Sequence, residues 1–332
     1  MLEATDEVLV DLHDLVMLDL DGVVYVGPDV VPGAGKHLEA ARSRGVRLAF
    51  VTNNASRPPT VVAEHLTSLG ITAEVEDVVT SAQAASAVLA DRLPAGSAVA
   101  ALGGAGLTEA LREVGLEPVG VHDEAVAVAS GYGPDVLWRD IMTVAVRVCD
   151  GLPWVASNTD HTIPTPDGVA PGHGVLVDML QRFTGVEPTV AGKPAPPLLE
   201  TTIRRCGADR ALMVGDRLDT DIAGGSAVDV PTLLVMTGVS GLAELASCRP
   251  EDRPTYLAAD LAGLLEPQPV VEVDGTRAEV GGWRAEVVDG RLEVQGEGAP
   301  SDWWRAVATS SWVHLDSGAE PADTSAVHSP AR

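Results

Sequence analysis

Short apolar runs and longer amphipathic stretches alternate along residues 15–240 of the chain. The run Leu15–Leu18 has the uninterrupted apolar character of a strand that is buried on both faces. The stretch from Pro32 to Arg44 predicts a helix, which Gly45 would end. Strands that alternate with helices in this way favour an open parallel sheet, and therefore the α/β fold class. The same pattern predicts further strands at 46–51, 211–214 and 232–235 and further helices at 58–69 and 220–227.

The middle of the chain repeats the alternation as a block of its own. We therefore predict that residues 1–79 and 187–266 form one parallel-sheet core, and that residues 80–186 form a smaller α/β domain inserted into it. The elements predicted for the insertion are strands at 98–102 and 125–129 and helices at 81–93, 136–149 and 175–183.

The composition changes after Pro267. Short β-like runs follow, separated by Asp274-Gly275 and Asp289-Gly290, which are strong hairpin-turn pairs. Residues 268–316 therefore predict a small β-rich extension with one helix. The remaining tail, 317–332, is rich in Ala, Ser, Pro and Asp, and we predict that it is disordered. The chain has 6 tryptophans, and the extension contains Trp283, Trp303, Trp304 and Trp312.

The charge balance restricts the partners of the protein. Its 332 residues include 48 acidic and 22 basic side chains, a formal net charge of −26 at pH 7. Nucleic acids and anionic membranes require a cationic surface, so we expect neither as a partner. The acidic start of the chain and the absence of a long apolar run predict a cytoplasmic protein without a membrane span. The isolated Cys149, Cys206 and Cys248 are expected to pack as small apolar residues.

The strongest chemical signal is a pair of carboxylates, Asp19 and Asp21, directly after the first predicted strand. Open α/β sheets bind ligands at the carboxyl ends of their strands. There, one carboxylate can attack phosphorus and the other can move a proton, while a divalent ion offsets the phosphate charge. Gly22 would let the backbone approach the ligand closely. Taken alone, the pair is also compatible with an ordinary Asp-Gly turn after a strand.

Two further polar segments have the chemistry of a phosphate site. Thr52, Asn53 and Asn54 end the second strand with a hydroxyl and two amides that can hold phosphate oxygens, although a polar turn into a helix has the same composition. Lys193 can neutralise a phosphate oxygen together with an attacking carboxylate. The chain has one other lysine, Lys36, which we expect on the surface.

A fourth segment again follows an apolar strand. Asp216 and Asp221 come after the strand at 211–214, and their oxygens suit Mg²⁺, a hard cation. A Gly-Asp turn can also be purely structural, and Asp219 can be an ordinary surface residue. The occurrence of all four segments at strand ends, in order, favours one phosphoryl-transfer site.

On these residues the sequence resembles the haloacid dehalogenase (HAD) superfamily of phosphatases. The details are similar to its class IIA, the nitrophenylphosphatase and phosphoglycolate phosphatase branch, in which a large α/β C2 cap lies between the second and third motifs. The resemblance therefore implies that the parallel-sheet core is Rossmann-like and that the insertion 80–186 is a C2 cap. The segments that match the four motifs are Asp19-Leu20-Asp21-Gly22, Thr52-Asn53-Asn54, Gly192-Lys193-Pro194 and Gly215-Asp216 with Asp221, and those similar to cap signatures are Ser157-Asn158-Thr159-Asp160 and Pro171-Gly172-His173-Gly174.

The resemblance also implies roles in catalysis. Asp19 would be the nucleophile that forms an aspartyl-phosphate, and Asp21 would protonate the leaving alcohol and then activate water. Lys193 would orient Asp19 and the phosphate. Mg²⁺ would be bound by Asp19, the backbone carbonyl of Asp21 and the carboxylate of Asp216, with Asp221 acting through water or by tethering Lys193.

The phosphate and the leaving group would be held by other residues. Thr52 and Asn53 would bind phosphate oxygens beside Gly22, with Asn54 in support. In the cap, Asn158, Asp160 and His161 would lie on a loop that faces the phosphate, although His161 is equally compatible with a surface position.

The activity implied is Mg²⁺-dependent hydrolysis of a small phosphomonoester. The arrangement of core, cap and extension resembles actinobacterial glycerol 3-phosphate phosphatases, so glycerol 3-phosphate is the first substrate to expect. Phosphoglycolate, pyridoxal phosphate and nucleotides are alternatives, as are a phosphotransferase or mutase and a non-catalytic metabolite-binding or regulatory protein on the same core. The extension would resemble a fragment of an acetyltransferase fold with a packing or dimerisation role, and caps of this type often pair, which allows a homodimer.

Overall fold

The computed structural model of the protein describes residues 1–165 and 168–330. Its strands, β1 to β19 in chain order, are Leu15–Leu18, Tyr25–Val26, Asp29–Val30, Arg47–Thr52, Val78–Thr80, Ala98–Leu102, Glu117–Val119, Ala127–Ser130, Trp154–Ala156, Thr162–Thr165, Gly168–Pro171, Thr189–Val190, Ala211–Gly215, Thr232–Val235, Tyr256–Ala258, Glu272–Asp274, Arg277–Val280, Trp283–Val288 and Arg291–Gly296. Its α-helices, α1 to α10, are Ala34–Ser43, Pro59–Ser68, Ser81–Ala90, Ala105–Glu113, Trp138–Cys149, His173–Thr184, Pro197–Cys206, Ala223–Ala227, Leu242–Ala246 and Pro300–Asp316.

The chain divides into two compact units. The first consists of Met1–Leu48 and Gly207–Arg332, and the second of Ala49–Cys206. Residues 49–79 and 187–206, which we predicted to belong to the core, group with the inserted region in this division. Helix α3 is one cause, because it packs on both α4 and α7. The boundaries of core, cap and extension therefore stay a prediction, and residues 166–167 of the predicted cap lie outside the described residues.

The first unit contains parallel strands in the order β15, β14, β13, β1. Leu18 lies opposite Val214, and Val214 lies opposite Leu233, so the strands end in register at one edge. Every residue of these strands is buried. Burial on both faces accounts for the uninterrupted apolar runs from which β1, β13 and β14 were predicted.

The second unit contains a separate parallel sheet in the order β12, β9, β8, β6, β7. Helices α5 and α6 pack on it through Val144, Val148, Val177 and Leu180. The parallel pair β4 and β5, the antiparallel hairpin β10–β11 and helices α2, α3, α4 and α7 complete the unit. The predicted α/β class with parallel sheets is confirmed.

The C-terminal extension is an antiparallel four-stranded sheet, β16 to β19, followed by the single helix α10, as predicted. Trp303 of α10 is buried against the sheet with Val280 and Leu292. The Arg305 guanidinium is 3% exposed and donates to the backbone oxygen of Leu257 at 3.0 Å and to Gln268 Oε1 at 2.9 Å. The extension thereby shares a hydrogen-bond network with the last strand of the parallel sheet.

The tail differs from the predicted disorder at its described positions. Asp323 donates its backbone N–H to Gly290 O at 2.8 Å and accepts the Leu292 N–H at 3.0 Å, which adds a β-bridge to β19. Ala322 is buried in the extension core, and Val327 packs against it. These apolar contacts are tertiary, so the polar composition of the tail did not reveal them. Residues 331–332 lie outside the described residues.

The cysteines occupy three different environments. Cys248 is buried as expected, and burial raises the pKa of its thiol to about 12. Cys206 is partly buried and Cys149 is exposed, so the expectation of apolar packing is wrong for Cys149, the last residue of α5. Among the described residues, no helix has the length and apolar character needed to cross a membrane.

Candidate active site

A cluster of carboxylates lies at the carboxyl edge of the parallel sheet in the first unit. Strands β1 and β13 are paired neighbours, so the residues that follow them emerge side by side. Asp19 donates its backbone N–H to Val214 O at 2.9 Å, which fixes the chain as it leaves β1. One carboxylate oxygen from each of Asp19, Asp216 and Asp221 lies within 4.8 Å of the others. We call these three residues the carboxylate cluster.

The carboxylate cluster fits a hard divalent cation. Three carboxylates brought this close would repel each other strongly without a positive charge between them. Carboxylate oxygens are the ligands that Mg²⁺ and Ca²⁺ prefer. Asp216 is 0% exposed and Asp221 is 1% exposed, so water screens their charges poorly. A bound cation is therefore the simplest way to stabilise this arrangement.

Backbone N–H groups hold both buried carboxylates in place. Asp221 Oδ2 accepts hydrogen bonds from the N–H of Asp216 at 3.2 Å and of Arg217 at 3.1 Å. Asp216 Oδ2 accepts from Val239 N at 2.6 Å. The neighbouring Asp219 is mainly exposed and pairs with Arg217, which agrees with a surface role.

Gly22 lies directly against the carboxylate cluster. Its φ is +86°, a conformation that side-chain-bearing residues rarely adopt, and a Cβ there would lie 2.3 Å from Asp216 Oδ2. Its N–H donates to Tyr25 O at 2.7 Å, which closes the turn that carries Asp21. Asp21 itself is exposed beside the cluster. A side chain at position 22 would displace Asp216.

A second cluster lies in the other unit, around Asn53. Asn53 Oδ1 accepts the Lys193 backbone N–H at 2.8 Å, and Asn53 Nδ2 donates to Lys193 O at 2.9 Å. Nδ2 also donates to Asp160 Oδ1 at 3.1 Å. Asn158 Nδ2 donates to the backbone oxygen of Asn53 at 2.7 Å. We call Asn53, Asn158, Asp160 and Lys193 the amide cluster.

The amide cluster changes what Asn53 can do. An asparagine amide has two N–H donors, and Asn53 uses both within the protein. Its side chain therefore holds the Lys193 backbone and has no N–H left to donate to a phosphate. Lys193 is 2% exposed, and the Asn53 side chain is hydrogen-bonded to both its backbone N–H and its backbone oxygen.

The remaining residues of the second motif shape the turn after β4. Thr52 Oγ1 accepts the N–H of Asn54 at 3.1 Å, and Thr52 is buried. Asn54 Oδ1 accepts from both the backbone N–H and the hydroxyl of Ser56, at 2.9 and 2.8 Å. Asn54 thus stabilises the turn, in line with a supporting role.

His161 is not gathered into the amide cluster in the described part of the chain. Its Nε2 lies 2.8 Å from Asp178 Oδ2 on the surface, where both side chains are more than half exposed. Of the three cap residues named from the sequence, the structure brings Asn158 and Asp160 to Asn53 and places His161 at the start of the hairpin β10–β11.

His173 lies in a segment similar to a cap signature, but the sequence indicated no role for its side chain. It begins α6, is buried, and lies with Nδ1 2.9 Å from the backbone oxygen of Asn158. Since a carbonyl only accepts, Nδ1 carries the proton that is donated. The cap-like segment 171–174 contains this histidine, but its burial behind Asn158 is a tertiary property.

Burial lowers the pKa of His173 to about 4 from 6.5, although the hydrogen bond to Asn158 opposes the shift. Below pH 6.5 the imidazole of residue 173 binds a proton in the unfolded chain but stays neutral in the native chain, so the free energy of unfolding falls as the pH drops towards 4. Through this group, we expect the free energy of unfolding to decrease by about 2 kcal/mol from pH 7 to pH 5. Urea unfolding at both pH values should show a smaller loss for His173→Gln than for the wild type. The exposed His161→Gln is the control, and equal losses for His173→Gln and the wild type would contradict the prediction.

Comparison with known proteins places these clusters in a family. Residues 16–117 match the model of haloacid dehalogenase-like hydrolases, and residues 190–264 match a second, HAD-hydrolase-like model. The chain is 41% identical over 310 residues to the D-glycerol 3-phosphate phosphatase of Mycobacterium tuberculosis, covering 90% of this chain and 86% of that protein. It is 36% identical over 248 residues to an acid sugar phosphatase of Staphylococcus saprophyticus, covering 74% of this chain and 94% of the relative.

A solved structure agrees with the sequence comparisons. The glycerol phosphate phosphatase of Mycobacterium tuberculosis, determined in complex with magnesium, superposes with a TM-score of 0.83 at 39% identity and covers 93% of this chain and 92% of its own. The chain belongs to the haloacid dehalogenase-like hydrolase family. The relatives it matches are phosphatases, and it is an enzyme of that class.

Proposed function

We propose that the protein is a Mg²⁺-dependent phosphomonoester hydrolase that works through an aspartyl-phosphate on Asp19, with glycerol 3-phosphate as its substrate. The observation that carries the proposal is the carboxylate cluster, in which Asp19 leaves a buried parallel strand beside two buried carboxylates. A nucleophile next to a cation site at a sheet edge is the arrangement that phosphoryl transfer requires.

The reaction takes place in two steps. A carboxylate oxygen of Asp19 attacks phosphorus and forms a P–O bond as the bond to the substrate alcohol breaks, and Asp21 gives its proton to the leaving oxygen. A water then attacks the phosphorus of the aspartyl-phosphate, Asp21 takes its proton, and the P–O bond to Asp19 breaks. Asp19 is regenerated and inorganic phosphate is released.

The amide cluster would supply the binding of the transferred group. We propose that Lys193 neutralises a phosphate oxygen, that the Thr52 hydroxyl and the Asn53 backbone N–H bind others, and that Asn54 keeps this turn in shape. The Asn53 side chain would position Lys193, as its two hydrogen bonds to the Lys193 backbone support. Asn158 and Asp160 would link this binding site to the cap, and His161 would act further out, where the leaving group meets solvent.

The metal ion would be held by the carboxylates of Asp19 and Asp216 and the backbone oxygen of Asp21, with Asp221 acting through water. When bound, it supplies positive charge that offsets the phosphate and the carboxylates. We expect a chelator to abolish hydrolysis and excess Mg²⁺ to restore it, measured as phosphate released from nitrophenyl phosphate. The control is chelator already saturated with Mg²⁺, and full turnover without free divalent ions would rule out the metal role.

Glycerol 3-phosphate as the substrate is supported by a relative that matches most of this chain. The match to the D-glycerol 3-phosphate phosphatase omits about a tenth of the chain, which is less than the extension 268–316. The match to the acid sugar phosphatase omits about a quarter. The glycerol 3-phosphate enzyme therefore shares at least part of the extension as well as core and cap.

A ranked screen of phosphomonoesters tests the substrate. We expect the highest kcat/KM for glycerol 3-phosphate among glycerol 3-phosphate, phosphoglycolate, pyridoxal phosphate, a sugar phosphate and nucleoside monophosphates. A higher value for one of the others would reassign the substrate within the class. Failure to release phosphate from any of them with Mg²⁺ present would favour the non-catalytic, metabolite-binding alternative.

We propose further that the enzyme acts in the cytoplasm as a homodimer, without nucleic-acid or membrane partners. Trp138, Met142 and Val146 share one face of α5, and each is more than half exposed. Pairing this face with a second copy would remove its apolar area from water. Light scattering during size-exclusion chromatography decides between dimer and monomer, and Trp138→Glu is expected to give the monomer.

A further inference from the structure

The carboxylate of Asp216 depends on a loop that carries no motif. We call residues 237–241 the clamp loop. The Thr237 hydroxyl donates to Gly22 O at 2.5 Å, and the Val239 N–H donates to Asp216 Oδ2 at 2.6 Å. The Ser240 N–H donates to Asp216 O at 3.1 Å, and Ser240 Oγ accepts the Leu218 N–H at 3.2 Å. The clamp loop therefore fixes both the side chain and the backbone of Asp216.

The clamp loop approaches the Asp216 carboxylate so closely that residue 238 has to be glycine. A Cβ on Gly238 would lie 1.9 Å from Asp216 Oδ2. The distance between the clamp loop and the carboxylate is thus set by backbone packing, and a small displacement of the loop would move the ligand oxygen. What holds the clamp loop from behind then matters for cation binding.

The C-terminal extension holds it. Helix α9 follows the clamp loop directly and has only five residues, too few to be stable as an isolated helix. Trp312 of α10 is 0% exposed, and its indole Nε1 donates to Leu245 O, near the end of α9, at 2.7 Å. The Arg253 guanidinium lies 5.0 Å from the centre of the Trp312 ring and pairs with Asp316.

Trp312 belongs to an apolar cluster that also includes chain neighbours of the carboxylate cluster. Its apolar cluster contains Ile222, the residue after Asp221, and Met236, the residue before the clamp loop. This apolar cluster therefore connects Trp312 with the segment that carries Asp221 and with the segment that leads into the clamp loop.

We propose that Trp312 is a positioning residue for the metal site, and that one function of the extension is to set the affinity of the carboxylate cluster for Mg²⁺. This inference rests on the proposed function only in taking Mg²⁺ as the ion. Trp312 touches neither the ion nor the substrate. It acts through α9 and the clamp loop on the position of Asp216.

The experiment is calorimetric titration of the full-length protein with Mg²⁺ alone. Trp312→Phe keeps a ring against Arg253 and removes the indole N–H, and we expect it to weaken Mg²⁺ binding about fivefold, the effect of one lost hydrogen bond. The kcat at saturating Mg²⁺ should stay close to the wild-type value. Trp303→Phe is the matched control, because it makes the same change in the same helix at a side chain that is 2% exposed but faces the antiparallel sheet.

Two results would overturn the inference. Equal Mg²⁺ affinities for Trp312→Phe and Trp303→Phe would overturn the inference, whatever their melting temperatures. A second test repeats Trp312→Phe in a Ser240→Ala background, where the weakened clamp loop should make the change smaller. A change of undiminished size there would also overturn the inference. The titration contains no substrate, so it is independent of the proposed function. If the protein binds Mg²⁺ but hydrolyses no phosphomonoester, the proposed function is refuted, and the ratio of the Mg²⁺ affinities of Trp312→Phe and Trp303→Phe still tests the role of Trp312.

Discussion

Replacement of Asp19 by asparagine is expected to lower kcat/KM for phosphomonoester hydrolysis at least about a thousandfold, with the protein still folded. An amide is a poor nucleophile and cannot form the acyl phosphate, while its size matches the carboxylate it replaces. The change also removes one of three negative charges from the carboxylate cluster, which relieves repulsion. We therefore expect a melting temperature equal to or above that of the wild type in the absence of Mg²⁺.

The control for Asp19→Asn is Asp29→Asn, the same change at an exposed position of β3. It should leave kcat/KM within about twofold of the wild-type value, as is usual for a remote surface substitution. A direct test is to quench the working enzyme in acid and reduce it with borohydride, which converts an aspartyl-phosphate into homoserine. Peptide mass analysis should find that change at residue 19. Turnover of Asp19→Asn within tenfold of the wild type would refute the assignment.

The second large effect is expected at Lys193. Lys193→Met keeps an unbranched chain in a site where the side chain is 2% exposed, so packing changes little and only the charge is removed. One preorganised charge at a transferring phosphoryl group contributes about a hundredfold to a thousandfold in rate. We expect kcat/KM to fall by that amount, with the larger share in kcat.

The composition of the chain supplies the matched control. Lys36 is the other lysine and is exposed on α1, so Lys36→Met changes the net charge equally without touching either cluster. If the two variants lost activity equally, the overall field of the protein would be responsible and not a local role of Lys193. Full activity in Lys193→Met would remove this lysine from the site.

Much of the framework around the clusters could be predicted because it depends on local pattern. Strand β14 begins and ends where the sequence predicted, and so does β6, because each is bounded by clear turn residues. Asp19 and Asp216 could be identified because they follow such strands, and parallel neighbours bring their ends together.

The hydrogen-bond partners of the polar side chains could not be predicted, because these partners lie far along the chain. The sequence indicated that Asn53 offers an amide to phosphate, but the structure commits both of its side-chain N–H donors, one of them to Lys193, 140 residues away. His173 was missed for a similar reason, since a histidine at a helix start has no feature that predicts burial behind Asn158. The clamp loop, without any charged residue, gave no signal at all.

The division of the chain into two units has a consequence for its synthesis. The second unit is one continuous segment, Ala49–Cys206, whereas the first is built from both ends of the chain. As the ribosome proceeds from the N-terminus, every residue of the amide cluster has been synthesised by residue 206, but β1 must wait for β13. Trp312 emerges later still. We expect chains released before β13 is made to lack a competent metal site, because Asp216 and Asp221 follow that strand, so incomplete copies should not hydrolyse phosphate esters.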